Sequence, residues 1–270
     1  MFVVCHLSAQ SLAQVHRAFP VPHRVTNVAA WDALLSELRT GHGDVAIVDP
    51  CADGDRLAAA HADALASVRP LLTPIVAYVS VTASAMHAVI RLVRASTAEI
   101  VIRGVDDSAA MLEAAAHRAI ASWAAARLVS EVGTPFDALP PEIVEAIHFA
   151  FVRPDRVRSV ADLAASARTT RRSFDRWLAR AGMASARTLL SCARATAAYH
   201  LIAVGNVQRA RAAKLTGYSS ARSLARGLRD VAGWSDPIAP DDISRDTFMA
   251  AVRRRLVREL RSGAWGRLSY

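Results

Sequence analysis

Lysine is almost missing from these 270 residues: of 33 basic side chains, 32 are arginine and Lys214 is the exception. Cysteine is scarce as well. Cys5, Cys51 and Cys192 stand far apart and lack the paired spacing that metal or disulfide frameworks use, which excludes a stapled or zinc-ribbon scaffold and leaves reduced, structural thiols as the expectation. No apolar run is long enough to cross a bilayer, and the first ten residues carry no basic region ahead of a hydrophobic one. A cytoplasmic protein with no membrane partner is expected. Nor does a glycine-rich phosphate loop follow the first apolar run, which argues against a nucleotide-using enzyme.

What is present is apolar and dispersed: 53% of the residues are hydrophobic. That is enough for two ordinary domains with their own cores and excludes a disordered or fibrous chain. The net charge of +9 is unevenly spread. Residues 1–130 hold 10 basic and 11 acidic side chains, whereas residues 156–235 hold 15 basic against 3 acidic. A general arginine bias would place arginine everywhere. Clustering in one compact segment is instead the field that a phosphate backbone attracts.

In the amino-terminal half, short β-type runs alternate with alanine-rich stretches of helical periodicity. The runs are Phe2–Leu7, Val25–Val28, Val45–Val48, Ile75–Val79 and Ile100–Ile102. This predicts a doubly wound α/β domain over residues 1–130 with a five-stranded parallel sheet, its functional groups collected at the carboxyl ends of the strands. Those ends carry Cys5 and His6, Asp49 and Pro50, Ser80, and Arg103 and Gly104. The third run, from Asp44 to Asp49, resembles the corresponding strand of the receiver domain of response regulators. The resemblance makes Asp49 a vestigial phosphoacceptor and puts Ser80 at the family's Ser/Thr position. The acidic pair that holds magnesium in that family is replaced by Cys5 and His6, and its lysine by Arg103, so the expected behaviour is independent of phosphorylation. A competing reading lets His6, Cys51 and Asp49 converge on a small ligand or metal, or makes the strand-end cluster around Cys5, His6 and Asp49 a small-molecule or metal-dependent enzyme site. The blander one makes Asp49 a loop cap and the others packed strand-end residues. No cofactor, metal or catalytic residue is assigned.

Breakers around Gly133 and at Pro140 and Pro141 mark a linker, residues 131–156, with a short helix from Glu142 to Phe151. Just before it, Ile120, Trp123, Ala124 and Leu128 form a stripe suited either to a dimer face or to a core. From Ser159 the pattern changes. Val160, Leu163 and Ala164 make one apolar stripe, a polar turn follows from Ser166 to Thr169, and Thr170 can cap a new helix. That helix would bury Phe174, Trp177 and Leu178 while presenting Arg171, Arg172 and Arg176. The same grammar recurs about fifty residues on: a stretch Ala210–Leu215, a turn Thr216–Ser219, and a helix from Ser220 with Arg222, Arg226 and Arg229 outward and Leu224 and Leu228 inward. Between them Thr188–Val204 reads as one long helix, buried along Leu189, Leu190, Ala193, Ala197, Leu201 and Ile202.

Residues 157–238 resemble the double helix-turn-helix DNA-binding domain of AraC-type transcription regulators, most clearly over Gly217–Gly233 and in the linker helix Arg194–Ile202. The resemblance implies an all-α domain with two recognition helices entering successive major grooves. It implies Thr170, Arg171, Arg172, Arg176, Ser219, Ser220, Arg222, Arg226 and Arg229 as the DNA-binding residues. Arg168 stands where that family usually has the glycine of the first turn, and Arg209 and Arg211 where it has apolar core residues. The tail, residues 239–270, carries a basic helix from Phe248 to Leu260 with Arg253, Arg254, Arg255 and Arg258. The expectation is a sequence-specific regulator without enzymatic chemistry. Its partners would be double-stranded DNA, RNA polymerase and, through the amino-terminal domain, a second copy of the chain. The alternative is a regulator acting by protein contact.

Overall fold

The computed structural model describes residues 1–52, 73–95, 99–233 and 244–257. They divide into two compact units, Met1–Ala124 with Val204–Asn206, and Ala125–Ala203 with the residues from Val207 onward.

The first unit is built on five parallel strands: β1 (Phe2–His6), β2 (Arg24–Asn27), β3 (Val45–Val48), β4 (Ile75–Val79) and β5 (Glu99–Ile102). Their order is β2-β1-β3-β4-β5. β3 and β4 are buried at every position, which is why they read as continuous apolar runs, with Tyr78 the one aromatic, rather than as alternations. Successive strand residues point to opposite faces, and both faces are covered. Val4, Ala46, Val48, Ala77 and Val79 pack with Trp31, Leu34, Leu35 and Leu38 of α2 (Trp31–Thr40) and Ala85, Ala88, Val89 and Leu92 of α3 (Ala83–Ala95). Val3, Cys5, Val45, Ile47, Val76 and Tyr78 pack with Val15 and Ala18 of α1 (Ala9–Ala18) and Leu112, Ala115, Ala116 and Ala119 of α4 (Ala109–Val132). Each buried Val, Leu or Ile side chain among these is worth about 1.5–3 kcal/mol. Strand order reverses between β1 and β3, so their carboxyl ends, His6 and Asp49, sit beside the switch point where sheets of this kind open a crevice.

Within the second unit, α5 (Pro141–Val152), read from sequence as a linker helix, starts on a proline at its first turn and buries Ile143, Ala146, Ile147, Ala150 and Phe151. It packs against α8 (Ala186–Tyr199). α8 is buried on nearly every side, because α5, α6 (Val160–Ser166), α7 (Arg171–Arg180), α9 (Arg209–Leu215), α10 (Ala221–Ala232) and α11 (Arg245–Leu256) all touch it. Its helical path continues as a π-helical turn over His200–Val204, so the expected single helix changes hydrogen-bonding register near its end. Of the stripe read from sequence, Ile120, Ala124 and Leu128 are buried within the chain and Trp123 is half-buried, which suits a core.

The tail helix belongs to this same helical unit. Phe248 is fully buried and stacks on Tyr199 at 4.2 Å, and the Ala184 amide donates to the Leu256 carbonyl at 2.8 Å. α11 ends at Leu256, with Arg253, Arg254 and Arg255 exposed, and Arg258 lies outside the described residues. Among the described residues no helix is long and apolar enough to cross a membrane.

Candidate nucleic-acid interface

In the carboxyl-terminal half two pairs of helices joined by short turns, α6 with α7 and α9 with α10, follow similar backbone paths. In the first, Ser159 caps α6: its side chain accepts from the Asp162 amide at 3.1 Å, and the Asp162 carboxylate accepts the Ser159 amide at 2.9 Å. Just past the end of α6, Arg168 takes a left-handed φ of 51°, and the Thr169 amide closes onto the Ala164 carbonyl at 3.0 Å. In the second, Gly217 takes φ 77° just past the end of α9, and the Tyr218 amide closes onto the Ala213 carbonyl at 2.9 Å. The arginine in the glycine position leaves the turn in the same geometry. The second turn is one residue longer before its cap, so the offset between the two is 49 residues at Arg168 and Gly217 and 50 at the caps Thr170 and Ser220.

Each turn feeds a capped helix. Thr170 accepts from the Ser173 amide at 3.2 Å at the start of α7. Ser220 accepts from the Ser223 amide at 3.1 Å and gives its own amide to the Ser223 hydroxyl at 3.0 Å at the start of α10, a capping box built from serines alone. Neither helix has an acidic residue in its first turn. Their amino-terminal ends therefore keep the positive field of the helix dipole.

Apolar spacing fixes which arginines face outward. Phe174 and Leu178 anchor α7 inward, and Arg171, Arg172 and Arg176 are exposed; Trp177 is half-buried under the Arg180 guanidinium, 5.4 Å from its ring centre. Leu224, Leu228 and Val231 anchor α10, leaving Arg222 and Arg226 exposed and Arg229 half-buried. Ser219 and Ser220 are exposed in the turn ahead of it. Thr170 is exposed too, with its hydroxyl engaged as the cap. Arg209 and Arg211 are exposed, while Ala212 and Ala213 supply the buried side of α9. Small alanines thus supply the buried side of a helix in which Arg209 and Arg211 point to solvent.

Two interactions were not anticipated from sequence. Tyr218 lies on α10 so closely that a Cβ at Gly227 would stand 2.5 Å from its hydroxyl oxygen, and burial pushes that hydroxyl up to about 12. Asp175, on α7 itself, accepts the Ala186 amide at 3.0 Å and so ties α7 to the start of α8. A glycine in mid-helix was the available signal for the first; nothing in the local pattern signals the second.

At the strand ends of the first unit, sequence neighbours part company. Cys5 faces α1 and α4, buried, with its thiol pushed up to about 12 by desolvation. His6 points to the other face, where its Nδ1 lies 3.0 Å from the Val28 carbonyl and its ring meets Trp31 edge-on at 4.9 Å. Asp49 is 5% exposed and accepts the Cys51 amide at 2.8 Å. Burial raises its carboxyl above the usual range, against the opposing pull of that amide and of the Arg103 and His6 charges. Arg103 donates to the hydroxyls of Ser11, at 3.0 Å, and Ser80. Among the described residues no group of three or more His, Cys, Asp or Glu side chains is placed to hold a metal ion.

No family model, curated protein or solved structure matches this chain.

Proposed function

We propose that this protein is a sequence-specific DNA-binding transcription regulator of the AraC type, with a paired helix-turn-helix domain over residues 157–238 behind a receiver-like domain over residues 1–130. The observation that carries this reading is the repetition of one turn, one cap and one outward arginine face at α7 and at α10. A single helix-turn-helix match is common; two with the same closing hydrogen bond, set on either side of a buried spacer helix, are suited to adjacent major grooves. Arg171, Arg172, Arg176, Arg222, Arg226 and Arg229 supply base and phosphate contacts, with Thr170, Ser219 and Ser220 at the helix starts.

The amino-terminal unit takes the input and pairs two copies of the chain, without phosphorylation. Support for the last point is the packing of Asp49, nearly closed to solvent, and of Arg103, whose guanidinium is already bonded to two hydroxyls. The regulator works in the cytoplasm beside RNA polymerase and does no chemistry of its own.

The test is an electrophoretic shift of labelled duplexes across a salt series. The unsubstituted protein is expected to bind more weakly as salt rises, and Arg171→Ala combined with Arg222→Ala to lose most of the shift. Binding that ignores both substitutions, or no binding at any salt, would favour regulation by protein contact instead.

A further inference from the structure

A groove of about 700 Å³ within the second unit is lined by Arg158, Arg194, Lys214, Gly217, Ser220 and Ala221 among others. It opens between the residues that lead into the first helix-turn-helix and the turn of the second. Three cations meet there without counter-ions: among the described residues Arg158, Arg194 and Lys214 form no ion pair. Asp155, also on the lining, is committed elsewhere, to Arg153 at 3.2 Å and Arg156 at 3.4 Å.

Arg194 is the informative member. One guanidinium nitrogen donates to the Arg158 carbonyl at 2.6 Å, and its Nε is buried and without a hydrogen-bond partner among the described residues. A partly buried guanidinium with a spare donor and no carboxylate is costly until an anion arrives. The start of α10 adds to the same field, because its capping box uses the amides of Ser220 and Ser223 and leaves the remaining first-turn amides open. Exposed Arg158 and Lys214 flank the groove.

We infer that this groove binds a phosphodiester, and that its source is the stretch of DNA backbone lying between the two segments read by α7 and α10. This rests on the proposed DNA-binding function and adds to it a third anchoring point, one that reads no base. The groove falls in the size range of ordinary ligand clefts, and its cations suit a run of sugar-phosphate rather than an uncharged ligand.

The experiment measures binding of the full chain to a random-sequence duplex several helical turns long, as the logarithm of the association constant against that of salt concentration. Arg158→Ala with Lys214→Ala is expected to reduce the slope by about one for each cation removed, with base preference and melting midpoint unchanged. Arg17→Ala with Arg39→Ala, an equal loss of charge from α1 and α2, is expected to leave the slope alone. A groove variant that binds with the parental slope overturns the inference while leaving the DNA-binding reading intact. So does a thermal shift with inorganic phosphate alone that the groove variant loses while its duplex slope stays parental, since the anion would then be a small free one. Failure of the unsubstituted chain to bind any duplex removes the underlying reading as well.

Discussion

At residue 168 the first helix-turn-helix unit holds an arginine at φ 51°, where the second, at residue 217, holds a glycine at φ 77°. Both turns nevertheless close with the same long-range amide-to-carbonyl bond and lead into a capped helix of outward arginines. Closure of the first turn onto the Ala164 carbonyl, between the buried Leu163 and Phe174, thus accompanies a conformation that arginine disfavours. The second unit reaches it at no conformational cost. Its weight falls elsewhere, on Tyr218 packed against Gly227 and on small alanines in α9.

The largest expected effect comes from removing an anchor. Phe174→Ala should cost about 3–5 kcal/mol of stability and unfold the first unit before the second, read by denaturant titration with amide exchange in α7 and α10. Equal loss of protection in both helices would mean that α8 couples them too tightly for the comparison to hold.

Next come the turns themselves, where opposite signs are expected. Gly217→Ala should destabilise by about 1–2 kcal/mol, a purely conformational cost because the added Cβ would meet nothing nearer than 3.7 Å. Arg168→Gly should raise the melting temperature, by the equivalent of about 1 kcal/mol. A fall on Arg168→Gly would show that the arginine side chain contributes contacts that outweigh the strain.

Smallest is the effect in the amino-terminal unit, which contrasts with the helical one in having its chemistry buried. The folded carboxyl of Asp49 is raised above its unfolded value, chiefly by desolvation, so folding favours the protonated form. Stability from this group is therefore fully present below the unfolded carboxylate range and is lost as pH rises through the folded value. Asp49→Asn is expected to flatten that decline and to raise the melting point at neutral pH. An unchanged pH profile would place the cost elsewhere.

Much of this was legible in sequence, for physical reasons that differ by region. The strands announce themselves because a parallel sheet covered on both faces favours near-continuous apolar runs rich in β-branched residues, as at Val45–Val48 and Ile75–Val79. The outward arginines follow from the spacing of Phe174 with Leu178 and of Leu224 with Leu228. Less was legible where contacts span many residues. Cys5 and His6 look like one cluster on paper, yet adjacent strand residues must face opposite sides. The Phe248–Tyr199 stack that places α11 in the helical unit, and the convergence of Arg158, Arg194 and Lys214, depend on tertiary packing that no local period encodes.

The central claim is that one chain presents two reading helices to one duplex, and hydroxyl-radical footprinting on a bound site tests it most directly. Two protected segments about 10 base pairs apart on the same side of the helix are expected, one lost on Arg171→Ala and the other on Arg222→Ala. A single protected segment, or two that fade together whichever arginine is removed, would contradict it.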